Sequence, residues 1–412
     1  MPTNFKKFML ARLLFRFGIE MQSMLLGWRM WELTHNTLFL ALIGLAEAIP
    51  ALGFSMHAGY YVDRSRPLMV TRFVGLGSLL SGVVMYLSQN SSLAFNGHAQ
   101  IAALFAASVI TGAARSFSQP ATYALVPRLL DRRDLARASV WMSSVFQIAH
   151  VFGPMAGGLI RGWSTMVIAT TVVCIILFIG ILALLLIPLS SDPTRERPAV
   201  ASTKEELLSG ARFVFGHPLL LPALSLDMIS VLFGGVTAML PVYASDILNV
   251  GPTGLGHLRA ASAIGALIMS LLLTRLGTPK RAGKWLFASV GGFGLCTLVF
   301  AVSRNFYLSL AILGLAGDFD SISVVIRGAA IQLASPDALR GRISAVNAMF
   351  IGSSNEIGEV ESGTAAWLMG IVPSVLFGGA MCLLTAVVIG ILSPALRHLD
   401  LEKLASEKES VP

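Results

Sequence analysis

Charged residues are scarce in this chain, and their scarcity limits the class of protein it can be. Only 13% of the 412 residues are charged, whereas 55% are hydrophobic, and the mean hydropathy is +0.75. A water-soluble globular protein with this balance would have too little polar surface. Since about twenty apolar residues cross the hydrocarbon core of a bilayer, the length suffices for roughly a dozen spans. The composition predicts a chain that crosses a membrane many times.

Cysteines and catalytic patterns are equally sparse. The three cysteines, Cys174, Cys296 and Cys382, lie in separate apolar stretches, which is typical of small buried side chains and not of disulfides or metal ligands. No His-x-x-x-His or His-Glu-x-x-His group and no Gly-x-x-x-x-Gly-Lys-Ser/Thr phosphate loop is present. We therefore expect no metal, no cofactor and no enzymatic activity.

The formal charge of +8 would suggest a nucleic-acid partner in a soluble protein. Here no basic patch is interleaved with aromatic residues, so we expect no nucleic acid to bind. The excess cations instead suit the inner face of a membrane.

Lysine and arginine fall almost entirely on every second loop between the apolar stretches. The basic clusters are Lys6 and Lys7; Arg64, Arg66 and Arg72; Arg128, Arg132, Arg133 and Arg137; Arg195, Arg197, Lys204 and Arg212; Arg275, Lys280, Arg281 and Lys284; Arg340 and Arg342; and Arg397, Lys403 and Lys408. Only Arg161 and Arg304 break the pattern. Because cationic side chains are retained on the cytoplasmic side during insertion, both termini are predicted to be cytoplasmic.

The apolar pattern predicts an all-α integral membrane protein with twelve transmembrane helices. The predicted spans are 10–33, 38–61, 69–89, 100–119, 138–161, 164–187, 219–244, 255–276, 285–303, 306–333, 343–370 and 373–396. A polar stretch divides them into an N-terminal bundle (1–188), a cytoplasmic linker (189–217), a C-terminal bundle (218–397) and a cytoplasmic tail (398–412). The linker is predicted to contain an amphipathic helix after Ser202, which lies along the inner surface and serves as a tether, with a regulatory role as the alternative.

The loop after the second span carries the sequence Gly59-Tyr-Tyr-Val-Asp63-Arg64-Ser-Arg66. Glycine permits close helix contact, Asp63 can accept charge-assisted hydrogen bonds, and Arg64 and Arg66 can pair with acids on adjacent spans. This sequence resembles the loop between helices two and three of the major facilitator superfamily, although Pro67 replaces an expected basic residue. The resemblance implies a conformational latch made by these four residues; an ordinary basic turn is the alternative.

Two further segments resemble the same superfamily. The fifth span contains Gly153-Pro154-Met-Ala-Gly157-Gly158, similar to the Gly-Pro-x-x-Gly-Gly signature of its antiporters, with Ala149 in place of a further glycine. Residues 320–327 and 332–347 resemble the tenth span, loop and eleventh span of bacterial drug and siderophore exporters, the transmembrane secretion effectors. The resemblance covers essentially the whole chain and implies two six-helix bundles that alternate access to a central cavity.

Ionisable groups inside spans are costly unless they are paired or face a cavity. Arg16 and Glu20 lie four apart on one helical face and can neutralise each other, and Asp320 and Arg327, two turns apart, are predicted to pair. We expect the substrate cavity to include Arg12, Glu20, Met24, Trp28, Arg115, Asp227 and Glu356. The candidates for proton coupling are Glu20, Asp227, Asp320, Glu356 and Glu359, with structural ion pairing as the competing interpretation.

The absence of a phosphate loop leaves an ion gradient as the ordinary energy source. The leading hypothesis is therefore a proton-coupled antiporter that exports a hydrophobic or amphipathic small molecule, such as a drug-like compound or a siderophore. Proton-coupled uptake of a nutrient is the main alternative, followed by a non-transporting assembly factor and a polytopic membrane enzyme. The expected partners are the substrate, protons and the lipid bilayer of a bacterial inner membrane, and we expect a monomer.

Overall fold

The computed structural model describes residues 2–89, 96–188, 204–277, 280–336 and 339–409, and these residues are helical with no strand among them. The predicted all-α class is thus confirmed. The chain forms two compact units, one of Met1–Ala199 with Leu240–Ala260 and the other of Val200–Met239 with Ala261–Pro412. The predicted division at residues 189–217 stays a prediction, because residues 189–203 lie outside the described part. Residues Leu240–Ala260 group with the first unit, although they were predicted in the C-terminal bundle.

The helices follow one another with short connections. They are α1 (Thr3–Thr34), α2 (Thr37–Arg64), α3 (Pro67–Leu87), α4 (Gly97–Leu129), α5 (Leu135–Trp163), α6 (Met166–Leu185), α7 (Lys204–Gly216), α8 (Leu220–Gly234), α9 (Leu240–Val242), α10 (Gly251–Leu276), α11 (Ala282–Val302), α12 (Phe306–Ala334), α13 (Arg340–Met369), α14 (Ile371–Leu392), α15 (Pro394–Arg397) and α16 (Leu401–Glu409). Asn36, Asn96 and Asn305 accept the first free amide protons of α2, α4 and α12. Gly370 joins α13 to α14 at φ +93, a conformation that favours glycine.

Nine helical segments of the described residues are long and apolar enough to cross a membrane. They are Thr37–Ser55, Pro67–Leu87, Gly97–Leu129, Met166–Leu185, Leu220–Ile247, Gly251–Leu276, Ala282–Val302, Phe306–Ala334 and Ile371–Leu392. Helices α1, α5 and α13 have 32, 29 and 30 residues, but their sequences are more polar. A membrane protein with several spans is therefore confirmed, while the number twelve and the cytoplasmic termini stay predictions.

In the first unit α1 is the central helix. It packs against α5 and α6 and also touches α2, α3 and α4. A buried polar cluster holds it to α3 and α4: the Gln22 amide donates to Ser81 Oγ at 2.5 Å, and the Ser81 and Thr111 hydroxyls are 2.8 Å apart. Interhelical hydrogen bonds of this kind replace the hydrophobic effect as a source of cohesion between helices in lipid.

In the second unit α11 packs against α12 and α14, and α8 packs against α13 and α14. Leu226, Leu286 and Ile326 are buried in one apolar cluster where α8, α11 and α12 meet. This packing sets the polar residues of α8, α11 and α12 against one another, which places the site described below.

The predicted span 219–244 is not one continuous helix. α8 ends at Gly234, a 3-10 turn covers Thr237–Met239, and a π-helical turn covers Tyr243–Ile247 after α9. Gly234 and Gly235 have low helix propensity, and Pro241 removes a backbone donor, so the α-helical hydrogen bonding stops here.

The predicted linker helix corresponds to α7. It packs against α13, and Val214 is fully buried in a cluster with Leu220 and Ile343. Arg342 of α13 donates to Ser209 Oγ at 3.0 Å. The apolar face of α7 is thus part of the second unit, and its position along the membrane surface stays a prediction.

Candidate functional site

A buried ion pair joins α8 to α12 in the second unit. The carboxylate of Asp227 pairs with the guanidinium of Arg327, and the two residues are only 7% and 3% exposed. Among the described residues, the predicted pair between Asp320 and Arg327 does not occur. Asp320 and Arg327 are seven positions apart, which separates them by about 10 Å along the axis of α12. Asp227 lies on the facing helix α8, from which its short side chain reaches the guanidinium of Arg327.

A small cavity borders this pair between α8, α11 and α12. It is lined by Asp227, Ser230 and Val231 from α8, Ser289, Val290 and Phe293 from α11, and Phe319, Asp320 and Ser323 from α12. The Asp320 side chain has no hydrogen bond or ion pair within the described ranges. Two carboxylates and one guanidinium sum to one net negative charge, which is costly inside a span. One bound proton or other monovalent cation would bring the charges at the cavity to zero.

The other predicted carboxylates of the second unit lie on α13. Glu356 is buried and Glu359 is half-buried, and each interacts with a neighbouring group. Neither lines the cavity. Their predicted roles in substrate binding and proton coupling stay predictions. Asp227 and Asp320, by contrast, line the same cavity.

The first unit contains a second charged cluster, between α1 and α5. Glu20 Oε1 lies 2.8 Å from Arg16 Nη2 and 3.3 Å from His150 Nδ1. The Phe146 ring stacks on the His150 ring and lies 4.7 Å from the Arg16 guanidinium. Glu20, a candidate for both substrate and proton binding, is thus held by two basic groups and is only 13% exposed in its side chain.

Further charged side chains lie on α1, α2, α4 and α10. Arg12 donates to Thr122 Oγ1 at 2.8 Å, and Arg115 donates to Glu47 at 3.1 Å while remaining 48% exposed. Arg259 donates to Ser23 Oγ at 3.5 Å. Charges inside spans normally find a partner or face a cavity, and each of these three groups has a polar partner.

Two residues predicted for the substrate cavity are buried, and their predicted role stays a prediction. Met24 is fully buried and Trp28 is 6% exposed. The Trp28 indole donates to Glu32 at 2.5 Å, and Arg29 and Arg161 donate to the same carboxylate at 3.1 and 2.8 Å. Sequence reasoning missed this Glu32 cluster, although Trp28, Arg29 and Glu32 stand at the three- and four-residue spacings of helical neighbours.

The predicted latch is described only in part, because the Asp63 side chain lies outside the described part. A Cβ on Gly59 would meet no atom of the described residues within 4 Å, so the close helix contact expected there is not found in that part of the chain. The Arg64 guanidinium lies 4.0 Å from the centre of the Tyr60 ring. Arg66 occupies the N-cap position of α3 and interacts with a neighbouring group.

The glycines of the fifth span lie in close helix contacts within the first unit. A Cβ on Gly153 would lie 2.6 Å from Glu20 Cβ, and one on Gly158 would lie 2.5 Å from the carbonyl oxygen of Pro252. Gly157 lies against the backbone of Met21, and Pro154 lies inside α5. At Gly153 and Gly158 a larger side chain would require the neighbouring helix to shift.

Repeated apolar helices with buried charges inside them define a polytopic membrane protein, and ion pairs at that depth are typical of transport proteins. A family model described as Major Facilitator Superfamily matches residues 8–359. The chain belongs to this superfamily of transporters.

Curated relatives agree with that assignment. The chain is 26% identical over 285 residues to the enterobactin exporter EntS of Escherichia coli (strain K12), covering 69% of this chain and 67% of that protein. A homologue from Escherichia coli O1:K1 / APEC is 27% identical over 231 residues, covering 56% and 54%.

Similar folds are found in a POT family transporter in complex with 5-aminolevulinic acid (TM-score 0.76, 12% identity, 96% and 97% coverage). A bacterial homologue of the iron transporter ferroportin is also similar (TM-score 0.70, 18% identity, 94% and 98% coverage). At these identities the structures support the fold alone.

Proposed function

We propose that this protein is a proton-coupled exporter of amphipathic small molecules in the inner membrane of a bacterium. The observation that carries the proposal is the charge balance at the cavity of the second unit. Asp227 is neutralised by Arg327, and Asp320 lines the same cavity and has no basic partner in the described part of the chain. One proton on Asp320 makes the cluster neutral, and its release supplies the ion for coupling.

The substrate-binding side chains in this proposal are partly exposed charged and aromatic groups of the first unit. Arg12 and Arg115 are partly exposed cations, and the Phe146 ring is 40% exposed beside Arg16. Charged and aromatic groups side by side suit a ligand that has both polar and apolar parts.

Export is favoured over uptake by the resemblance to exporters. The curated relatives named above are enterobactin exporters, so enterobactin is the first compound to use as a probe. The direction of transport is measured by comparing vesicles of opposite orientation.

The test is accumulation of enterobactin and a panel of amphipathic compounds in inverted membrane vesicles that contain the protein. We expect accumulation when the vesicle interior is acidified, and loss of accumulation when nigericin collapses the pH gradient. Asp320→Asn should abolish accumulation, whereas Asp318→Asn, two residues away on α12 and outside the cavity, should retain it.

Accumulation only in right-side-out vesicles would reject export in favour of uptake. Full accumulation by Asp320→Asn would reject the assignment of the proton to this carboxylate.

A further inference from the structure

The cavity of the second unit is lined by more oxygen-bearing side chains than the binding of a proton requires. Two carboxylates, Asp227 and Asp320, and three hydroxyls, Ser230, Ser289 and Ser323, border a space for about one water-sized species. Hard cations prefer oxygen ligands of these kinds. The remaining lining residues, Val231, Val290, Phe293 and Phe319, are apolar.

The three serines differ in how their hydrogen-bonding capacity is used. Ser230 and Ser289 donate to carbonyl oxygens of their own helices, at 2.6 and 2.8 Å, which leaves the lone pairs of each hydroxyl oxygen available. Ser323 is only 3% exposed, and its Oγ has no hydrogen-bond partner in the part of the chain that the structure describes. A buried hydroxyl without a partner is costly, so Ser323 points to a ligand in this cavity.

The sum of the charges at the cavity indicates which charge a bound cation should have. Asp227, Asp320 and Arg327 sum to one negative charge, while α11 contributes Ser289, Val290 and Phe293, which do not titrate. α13, which packs against α8, carries the buried Glu356 outside the cavity lining. One net negative charge is neutralised by one monovalent cation, whereas a divalent ion would leave the cluster with a net positive charge.

We propose that this cavity binds a sodium ion when Asp320 is ionised, with Asp320 as the charged ligand and Ser323 as a hydroxyl ligand. Sodium and a proton then compete for one carboxylate, because either one neutralises the cluster. The link to transport rests on the proposed function, whereas the binding of sodium does not. The small space and the single net charge favour sodium over the larger potassium ion and over divalent ions.

The experiment measures the thermal unfolding midpoint of the purified full chain in detergent, in sodium chloride and in potassium chloride of equal ionic strength. At pH 8.5 sodium should raise the midpoint by several degrees over potassium, because a ligand that binds only the folded state stabilises it. The difference should shrink at pH 5.5, where protons occupy Asp320.

Two matched pairs of variants on α12 separate ligands from neighbours. Asp320→Asn should abolish the sodium shift and Ser323→Ala should reduce it. Asp318→Asn and Ser321→Ala should retain it, since Asp318 does not line the cavity and the Ser321 hydroxyl is 2.8 Å from that of Ser270. Should Asp320→Asn fail to fold, Ser323→Ala decides alone.

Equal midpoints in sodium and potassium, or an undiminished sodium shift in Ser323→Ala, would overturn the sodium site. Vesicle accumulation tests the proposed function separately. Proton-driven export without any sodium shift would reject only the sodium site, and a specific sodium shift without export would reject only the proposed function.

Discussion

Replacing Arg327 perturbs the charge balance of the second unit most strongly. Arg327→Gln leaves two buried carboxylates without their counter-ion and changes the sum of charges from minus one to minus two. Asp227→Asn and Asp320→Asn each leave one carboxylate and one guanidinium, which sum to zero. The three variants therefore differ in the uncompensated charge that they leave behind.

The magnitude follows from the burial of the pair. Breaking a buried ion pair by removing one partner costs about 3–5 kcal/mol, because the other charge is left uncompensated. We expect Arg327→Gln to lose this amount of the free energy of unfolding, because it leaves two carboxylates without a counter-ion. Asp227→Asn should lose less, because the remaining charges at the cavity sum to zero. Asp320→Asn keeps the pair intact, so its stability should stay close to that of the wild type.

Unfolding by sodium dodecyl sulfate in mixed micelles, monitored by circular dichroism, measures these differences. The double variant Asp227→Asn with Arg327→Gln should be more stable than the sum of the two single losses predicts, with a coupling energy of about 0.5–3 kcal/mol. If Asp320→Asn lost as much stability as Arg327→Gln, the partner of Arg327 would be Asp320, and the pair with Asp227 would be wrong.

Three further outcomes are expected. Gly158→Ala should destabilise the protein because the new Cβ would lie 2.5 Å from Pro252 O, whereas Gly352→Ala, with no atom within 4 Å, should stabilise it slightly; equal unfolding midpoints would contradict the contact. Burial lowers the pKa of His217 below its ordinary 6.5, and its Nδ1 accepts the amide protons of two residues at the start of α8. The stability that the neutral ring contributes should therefore be complete above pH 6.5 and fall below it, and a His217→Asn variant that kept this pH dependence would exclude the cap. Asp63→Asn should reduce transport without lowering the amount of protein in the membrane, and wild-type turnover would remove the latch.

The alternation of charge and apolar stretches predicted the all-α membrane fold because the bilayer imposes it directly on the sequence. Each span must be apolar and about twenty residues long, and every backbone group must bond within its own helix. These constraints are local, so α2, α3, α6 and α11 to α14 lie close to their predicted positions. α4 is an exception, because it continues to Leu129, ten residues beyond the predicted end.

Partners of charges were harder to predict because they depend on which helices are neighbours. The candidate carboxylates Asp227 and Asp320 could be identified from their rarity inside spans, but spacing alone suggested a bond between Asp320 and Arg327. The pair between Asp227 and Arg327 joins two helices that are far apart in the sequence. Helical periodicity contains no information on that contact.

The interruption of the helix after α8 could not be predicted from the sequence either, for a different reason. Gly234 and Gly235 indicate a weak point, but glycine in a span is equally typical of close packing. The sequence pattern does not distinguish these outcomes. Likewise, the burial of Met24 and Trp28 depends on how α1 is rotated about its axis, and polar and apolar residues occur on every side of α1, so its sequence leaves that rotation undetermined.

Proton release on substrate binding is the decisive measurement for the proposed coupling at Asp320. Purified protein in weakly buffered detergent solution is mixed with enterobactin, or with whichever compound the vesicles accumulate, and a pH indicator records the protons released. We predict release from the wild type and none from Asp320→Asn. Binding without proton release, or equal release from Asp320→Asn, would contradict the coupling.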